Sequence, residues 1–339
     1  MTRGRLDAIT RSSAYADAEK DWFVTLQQST CYWYELIVNP PHFADTKFVA
    51  AQLLNDLRNR VEQTLEKRFI YFFASRPKVR FDTTRAPRFE ASSKKLVLHL
   101  LIGRDKKRRV VKASVPDLEG TPVTPQVEVS ERFIRLSCSP EVSRTYPIHD
   151  FLQLFNLEVG ASTKVHYVGI TKDPADRPLS RKHRGITDTL YNVSNEQNDF
   201  FIFINLFKVM AHAENLKRGM SFMTANSMTD EIKTDEEGAI VEGALIAYFE
   251  CQSQQINRDK EHSAFRRNLE SIAHANKIRS VAVHMELEHS CEYFTFGSDS
   301  VSPSPTHTFV FESIRGDLVL TKLSSESDLL ARLHPPGEA

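Results

Sequence analysis

Long apolar runs are missing from this chain of 339 residues. The longest, Phe69 to Ala74 and Ala244 to Phe249, last six residues, against the ~18 that a membrane-spanning helix needs. The first residues, MTRGRLDAITRSSAYADAEKDW, lack the apolar core of a signal peptide. Both absences lead us to expect a cytoplasmic protein without membrane partners. Cysteine is scarce as well. Cys31, Cys138, Cys251 and Cys291 are far apart and form no C-x-x-C pair, which excludes the strong zinc and redox signatures. A chain of this length buries ~75% of its unfolded surface and needs no disulfide to fold. Twelve Gly and fifteen Pro exclude a low-complexity or collagen-like chain. No phosphate-binding P-loop, dinucleotide G-x-G-x-x-G, H-E-x-x-H or G-x-S-x-G occurs, so the ATPase, dehydrogenase, zincin and hydrolase-elbow readings lose their usual support.

Net charge is also absent, but the zero conceals an asymmetry. Residues 1–150 hold 25 Lys+Arg and 18 Asp+Glu, a net of +7, and the rest carries −7. The excess is densest from Lys47 to Lys112, with 18 basic and 6 acidic residues. Such a dipole points to a polyanion partner on the basic half, or to a solvated surface balanced by the acidic half.

The apolar pattern predicts an α+β fold. Residues 1–29 read as a helical lead-in. Residues 30–145 read as a basic α+β domain that could hold nucleic acid. Within it we expect a strand at Cys31–Asn39, a helix over Ala44–Arg68, a strand at Phe69–Phe73, and a hairpin whose turn carries Arg104, Lys106, Lys107, Arg108 and Arg109. Residues 148–280 read as a second unit, a small antiparallel sheet flanked by helices. It would open on a hairpin of Asp150–Val159 and Lys164–Thr171, turning at Gly160. A helix in 172–190, a buried strand at Asp199–Met210, a short helix and loop in 211–235, and helices over Thr234–Glu250 and Phe265–Asn276 would follow. Residues 281–323 read as added strands and 324–339 as a tail.

Three pieces of this second half carry chemistry. The first is Tyr167-Val168-Gly169, in which a tyrosine and a glycine share one strand face, leaving a gap beside the phenol. Arg177 follows eight residues later, with Arg181 and His183 close behind. Fixed cations of this kind suit a reaction that spreads negative charge over phosphate oxygens. The second piece is Glu242. Ala239, Leu245, Ile246 and Phe249 lie at helical spacing from it, so it falls on the apolar stripe, where a carboxylate must be paired, neutralised or metal-bound. The third is Asn257, fifteen residues further on. By contrast, His284, Glu286 and Glu288 alternate along one strand and read as its polar face.

Taken together, Y-V-G, an Arg eight residues later, E-x-x-L-I-x-Y-F and a following Asn resemble the GIY-YIG nuclease superfamily. The resemblance covers about Phe151 to Asn257. It implies a three-stranded antiparallel sheet flanked by helices, and hydrolysis of nucleic-acid phosphodiesters with one divalent cation, usually Mg2+. It implies Glu242 as the metal ligand, Arg177 as the phosphate clamp and Tyr167 as the second-strand tyrosine. Asn257 would be the closing amide, and His183, or Arg181 in its place, the polar residue of the first helix. Arg104, Lys106, Lys107, Arg108, Arg109 and Arg181 would grip the backbone, with DNA preferred to RNA as partner. The first tripeptide is not visible. The expected hairpin register sets Leu154-Phe155-Asn156 opposite Tyr167, without its Gly and Tyr. His166 or His183 would then be the group that titrates near neutrality. Pro178 places Arg177 before the helix. The interval from Gly169 to Glu242 requires an insertion, in 184–198 or 211–235. A nucleic-acid-binding protein without catalysis and a protein-interaction module are the alternatives.

Overall fold

The computed structural model describes residues 3–38, 59, 69–115, 124–138, 143–173, 184–251 and 258–333. It is a mixed α+β fold built on one large curled sheet. The sheet runs in the order β10-β2-β11-β1-β13-β14-β15, and β12 pairs with the far end of β11. These strands are β1 (Glu19–Trp33), β2 (Phe69–Pro77), β10 (Lys164–Thr171), β11 (Asn198–Asn215), β12 (Met220–Ala225), β13 (Ile278–Glu286), β14 (Thr306–Ile314) and β15 (Asp317–Leu323). All neighbours are antiparallel except β1 and β13.

Strands β2 and β11 are buried on both faces, as continuous apolar runs require. Alternation sorts their residues between two cores. Ile70, Phe72, Phe201 and Phe203 join the main core, while Phe69, Tyr71, Phe73, Ile202 and Ile204 join the second. The helices α3 (Thr234–Phe249) and α4 (Arg258–Asn276) send Leu245, Phe249, Phe265 and Leu269 into the main core. The second core is covered by α2 (Arg184–Asn192) through Ile186 and Leu190. Among the described residues, no helix is long and apolar enough to cross a membrane.

Between β2 and β10, residues 78–163 build two small sheets. One comprises β3 (Val79–Phe81), β4 (Arg88–Phe89), β5 (Leu96–Ile102) and β6 (Lys107–Ala113). The other is the meander β7 (Gln126–Val129), β8 (Phe133–Ser137) and β9 (Ser143–Pro147). Helix α1 (Ile148–Leu154) follows. Asp199, on β11, ties this insertion to the large sheet. Its carboxylate accepts from both terminal nitrogens of Arg80, at 2.8 and 2.9 Å, and from His149 Nε2 at 2.8 Å.

Several expectations change. The lead-in is helical only at Asp7–Thr10 and Ser13–Ala16, after which β1 runs for fifteen residues into the segment expected to begin a separate domain. Tyr34–Val38, expected to extend that strand, is a helical turn. Because β2 lies between β10 and β11, the boundary drawn near residue 145 does not divide the sheet. Asp150–Val159 is not a hairpin arm. Ile148, Phe151 and Leu152 are buried at positions i, i+3 and i+4, the period of α1. Residues 211–225 continue β11 and turn back as β12, so the insertion required between Gly169 and Glu242 includes a hairpin. The helix expected at Ala44–Arg68 lies outside the described residues, apart from Asn59, which is helical.

Candidate active site

The strand beside Tyr167 is β2. The antiparallel register sets Tyr71 opposite Gly169 and Phe73 opposite Tyr167. Tyr71 and Tyr167 therefore lie on one face as a diagonal cross-strand pair, their ring centroids 5.9 Å apart and their planes at 32°. Gly169 is what lets them meet. A Cβ there would stand 2.5 Å from Tyr71 Oη and 2.7 Å from Tyr167 Cε1. Tyr71 is fully buried and Tyr167 half-buried, with Ile186 of α2 in the same cluster. Gly169→Ala should thus displace one phenol and cost ~1–3 kcal/mol, the usual penalty of overpacking. Urea denaturation measures it, and unchanged stability would mean that the ring packing is loose.

Glu242 comes from the other layer. The C-terminal end of α3 rests on the main-core face of β2, where Phe249 meets Phe72 at 5.5 Å between centroids. The phenols point the opposite way, so the structure does not put Glu242 and Tyr167 on one sheet face. They share a level instead. Helix α3 runs antiparallel to β10, with Cys251 Sγ 3.6 Å from Val165 O at one end and Lys172 Nζ 3.6 Å from Asp235 Oδ2 at the other. At ~1.5 Å rise per helical residue, Glu242 lies ~13 Å along from Cys251. At ~3.3 Å per strand residue, Gly169 lies ~13 Å along from Val165. Among the described residues, strand β10 ends the sheet on this side. Glu242, half-buried, is thus level with Gly169 along β10, on the opposite face of the sheet.

Arg177, Arg181, His183 and Asn257 lie outside the described residues. His166 is buried, with Nε2 2.7 Å from Ser75 Oγ, and burial pushes its pKa down to about 4. It is a neutral core histidine at pH 7. His284 is buried too, its Nδ1 2.9 Å from Thr308 Oγ1. Among the described residues no three His, Cys, Asp or Glu side chains group to hold a metal ion. A cation at Glu242 would therefore have at most two such side chains among the described residues. This suits a hard divalent ion that keeps most of its waters and takes other oxygens from a bound phosphate.

The basic hairpin forms, but of the five basic residues expected in its turn only Arg104 and Lys106 lie there. Lys107, Arg108 and Arg109 stand exposed on β6, an edge strand, and Lys106 occupies the turn with φ 50°. Three of its charges meet carboxylates, Arg104 with Glu196 at 3.5 Å, Arg108 with Asp82 at 3.4 Å and Lys112 with Glu90 at 2.8 Å. The Arg104 contact is largely exposed and contributes little. Charged edge strands also discourage strand pairing between molecules, which is a structural reason for the same residues.

Tyr71 is the residue that sequence reasoning missed. Its signal is the tripeptide Phe69-Ile70-Tyr71, hidden in an apolar run far from Tyr167 in sequence.

No family model, curated protein or solved structure matches the chain.

Proposed function

We propose that the chain is a metal-dependent endonuclease of GIY-YIG type, hydrolysing nucleic-acid phosphodiesters. The observation that carries this reading is the Tyr71–Gly169–Tyr167 arrangement. On this reading Phe69-Ile70-Tyr71 takes the place of the first tripeptide, with Phe for its Gly. The antiparallel neighbours β10, β2 and β11, with α2 and α3, then correspond to the small sheet and helices that the resemblance implies. Residues 78–163 are an insertion between its first two strands.

The roles follow from chemistry. Tyr167, less buried than Tyr71, orients the attacking water through its hydroxyl and takes part in moving its proton. Tyr71 holds the Tyr167 ring. Arg177 clamps the phosphate, whose developing charge it offsets. Glu242 would hold Mg2+, which when bound polarises the phosphate oxygens. Asn257 and His183 are the remaining members by resemblance. Tyr167→Phe should lower cleavage of a DNA duplex by at least ~100-fold, the usual share of a proton-transfer group, with binding retained. Undiminished cleavage would remove the tyrosine from the mechanism.

The hairpin is the proposed backbone grip, and DNA the preferred partner. Reversing the charges of Lys106, Lys107, Arg108 and Arg109 to Glu should weaken binding across all sequences and flatten its salt dependence, because fewer counterions are released. A salt titration of fluorescence anisotropy reads both. An unaltered slope would place the contact elsewhere. A nucleic-acid-binding protein without cleavage is favoured by one observation, the complete burial of Tyr71.

A further inference from the structure

Strands β1 and β13 run in parallel only from Lys20/Ile278 to Thr25/His284. Beyond Thr25, β1 carries a register shift at Leu26/Gln28 and continues to Trp33 against β11. The fork between the two strands is a cavity of about 540 Å³, within the ~300–1,000 Å³ of small-ligand sites. Leu26 to Cys31 form one wall and Glu286 to Glu288 the other, with Asp150 and Gln153 of α1 above them. It lies on the Phe203 face, opposite the tyrosine pair.

Its chemistry is one-sided. Asp150, Glu286 and Glu288 line it, and among the described residues no Lys, Arg or His does. Tyr146, Phe203, Tyr293 and Phe294 supply aromatic surface. Tyr293 is 2% exposed, and its hydroxyl has no hydrogen-bond partner among the described residues. A histidine and a buried arginine are near. His284 Nε2 lies 3.8 Å from Glu286 Oε2. Arg76 lies buried over the rings of Phe203 and Tyr293, where it already donates to Thr163 Oγ1 and the Tyr293 carbonyl.

Three carboxylates in one cleft focus a negative potential that repels phosphate. An uncharged apolar ligand would desolvate them without return. Among the described residues the carboxylates do not group closely enough for a metal ion. An extended cation resting on aromatic faces meets all three conditions. We propose that this cleft binds an alkylammonium group, seated on the aromatic wall between Asp150, Glu286 and Glu288. Two sources carry that group: a free polyamine, or the lysine of a peptide strand that pairs with the β1 edge left by β13. The proposal does not depend on nuclease activity.

The test is calorimetry on the intact chain, freed of nucleic acid, with spermidine and with a blocked lysine-centred tripeptide as probes. At least one should bind saturably with a stoichiometry of one. Combining Glu286→Gln with Glu288→Gln should weaken it at least tenfold, and Phe294→Leu severalfold. Glu326→Gln, exposed on the C-terminal helix (Glu326–Leu333), should leave it unchanged. Both cleft glutamates are exposed, so the double variant should fold, and its melting curve checks that. Tighter binding of the peptide, lost on backbone N-methylation, would assign the peptide source. Tighter binding of spermidine would assign the polyamine. Binding of neither probe, or equal binding by the folded double variant, would overturn the proposal.

Discussion

Glu242→Gln should abolish magnesium-dependent cleavage while leaving nucleic-acid binding and the melting temperature close to those of the native chain. The substitution is nearly isosteric and sits on a helix whose anchoring is apolar, through Leu245, Ile246 and Phe249. On the proposed function, removing the carboxylate takes away the metal ligand without opening a cavity. A bound divalent ion supplies several kcal/mol of charge stabilisation in a reaction of this kind, so the rate should fall by ~10³-fold or more. If Glu242 instead served in a structural ion pair, the Gln variant would melt earlier and lose activity only as it unfolds. Cleavage, binding and thermal denaturation measured on one preparation separate the two. Retained cleavage with an unchanged melting curve would remove Glu242 from the site.

The second large effect concerns stability. Asp199 is buried to 2% of its side-chain surface and, among the described residues, faces donors: Arg80, His149 Nε2 and the Val79 N–H. Burial opposes its ionisation, but the hydrogen bonds and charges of His149 and Arg80 outweigh that and lower its pKa to about 2. Burial pushes the His149 pKa below its ordinary value, against the pull of Asp199. Asp199→Asn would leave Arg80 without this counter-charge and could turn an amide N–H toward a donor. A loss of ~3–5 kcal/mol is expected, as for other broken buried pairs, out of the ~5–15 kcal/mol that holds a typical domain. The sign of the pH dependence follows. A carboxylate with a depressed folded pKa stabilises above its unfolded value of ~3.9, and this contribution is lost as pH falls through about 2. The difference between native and variant chains should be constant near neutrality and shrink between those values. Urea titrations at a series of pH values check it. Because Asp199 joins the insertion to β11, hydrogen exchange should quicken first at Val79–Phe81 and in α1.

The two sites differ in how much of them the sequence revealed. Tyr167 and Gly169 were legible because strand alternation alone places them on one face. The Glu242 stripe was legible because helical periodicity is local. Tyr71 was not, since pairing between β2 and β10 spans the whole insertion, and periodicity within a strand does not name its partner. Phe151-Leu-Gln-Leu-Phe155 was misread for a related reason. Short apolar runs satisfy both periods, and only burial of Ile148, Phe151 and Leu152 on one side decides for helix. Asp199, just before a run of Phe and Ile, gave no local sign that Arg80 and His149 converge on it.

The most direct test is incubation of the purified chain with a plasmid and with a single-stranded RNA, in Mg2+ and in EDTA, beside the Tyr167→Phe and Glu242→Gln variants. The account predicts cleavage of at least one substrate by the native chain in Mg2+, none in EDTA, and near-complete loss in both variants despite intact folding. No cleavage of either substrate in Mg2+ or Mn2+ by a folded chain that binds nucleic acid, or equal cleavage by all three proteins, would contradict it.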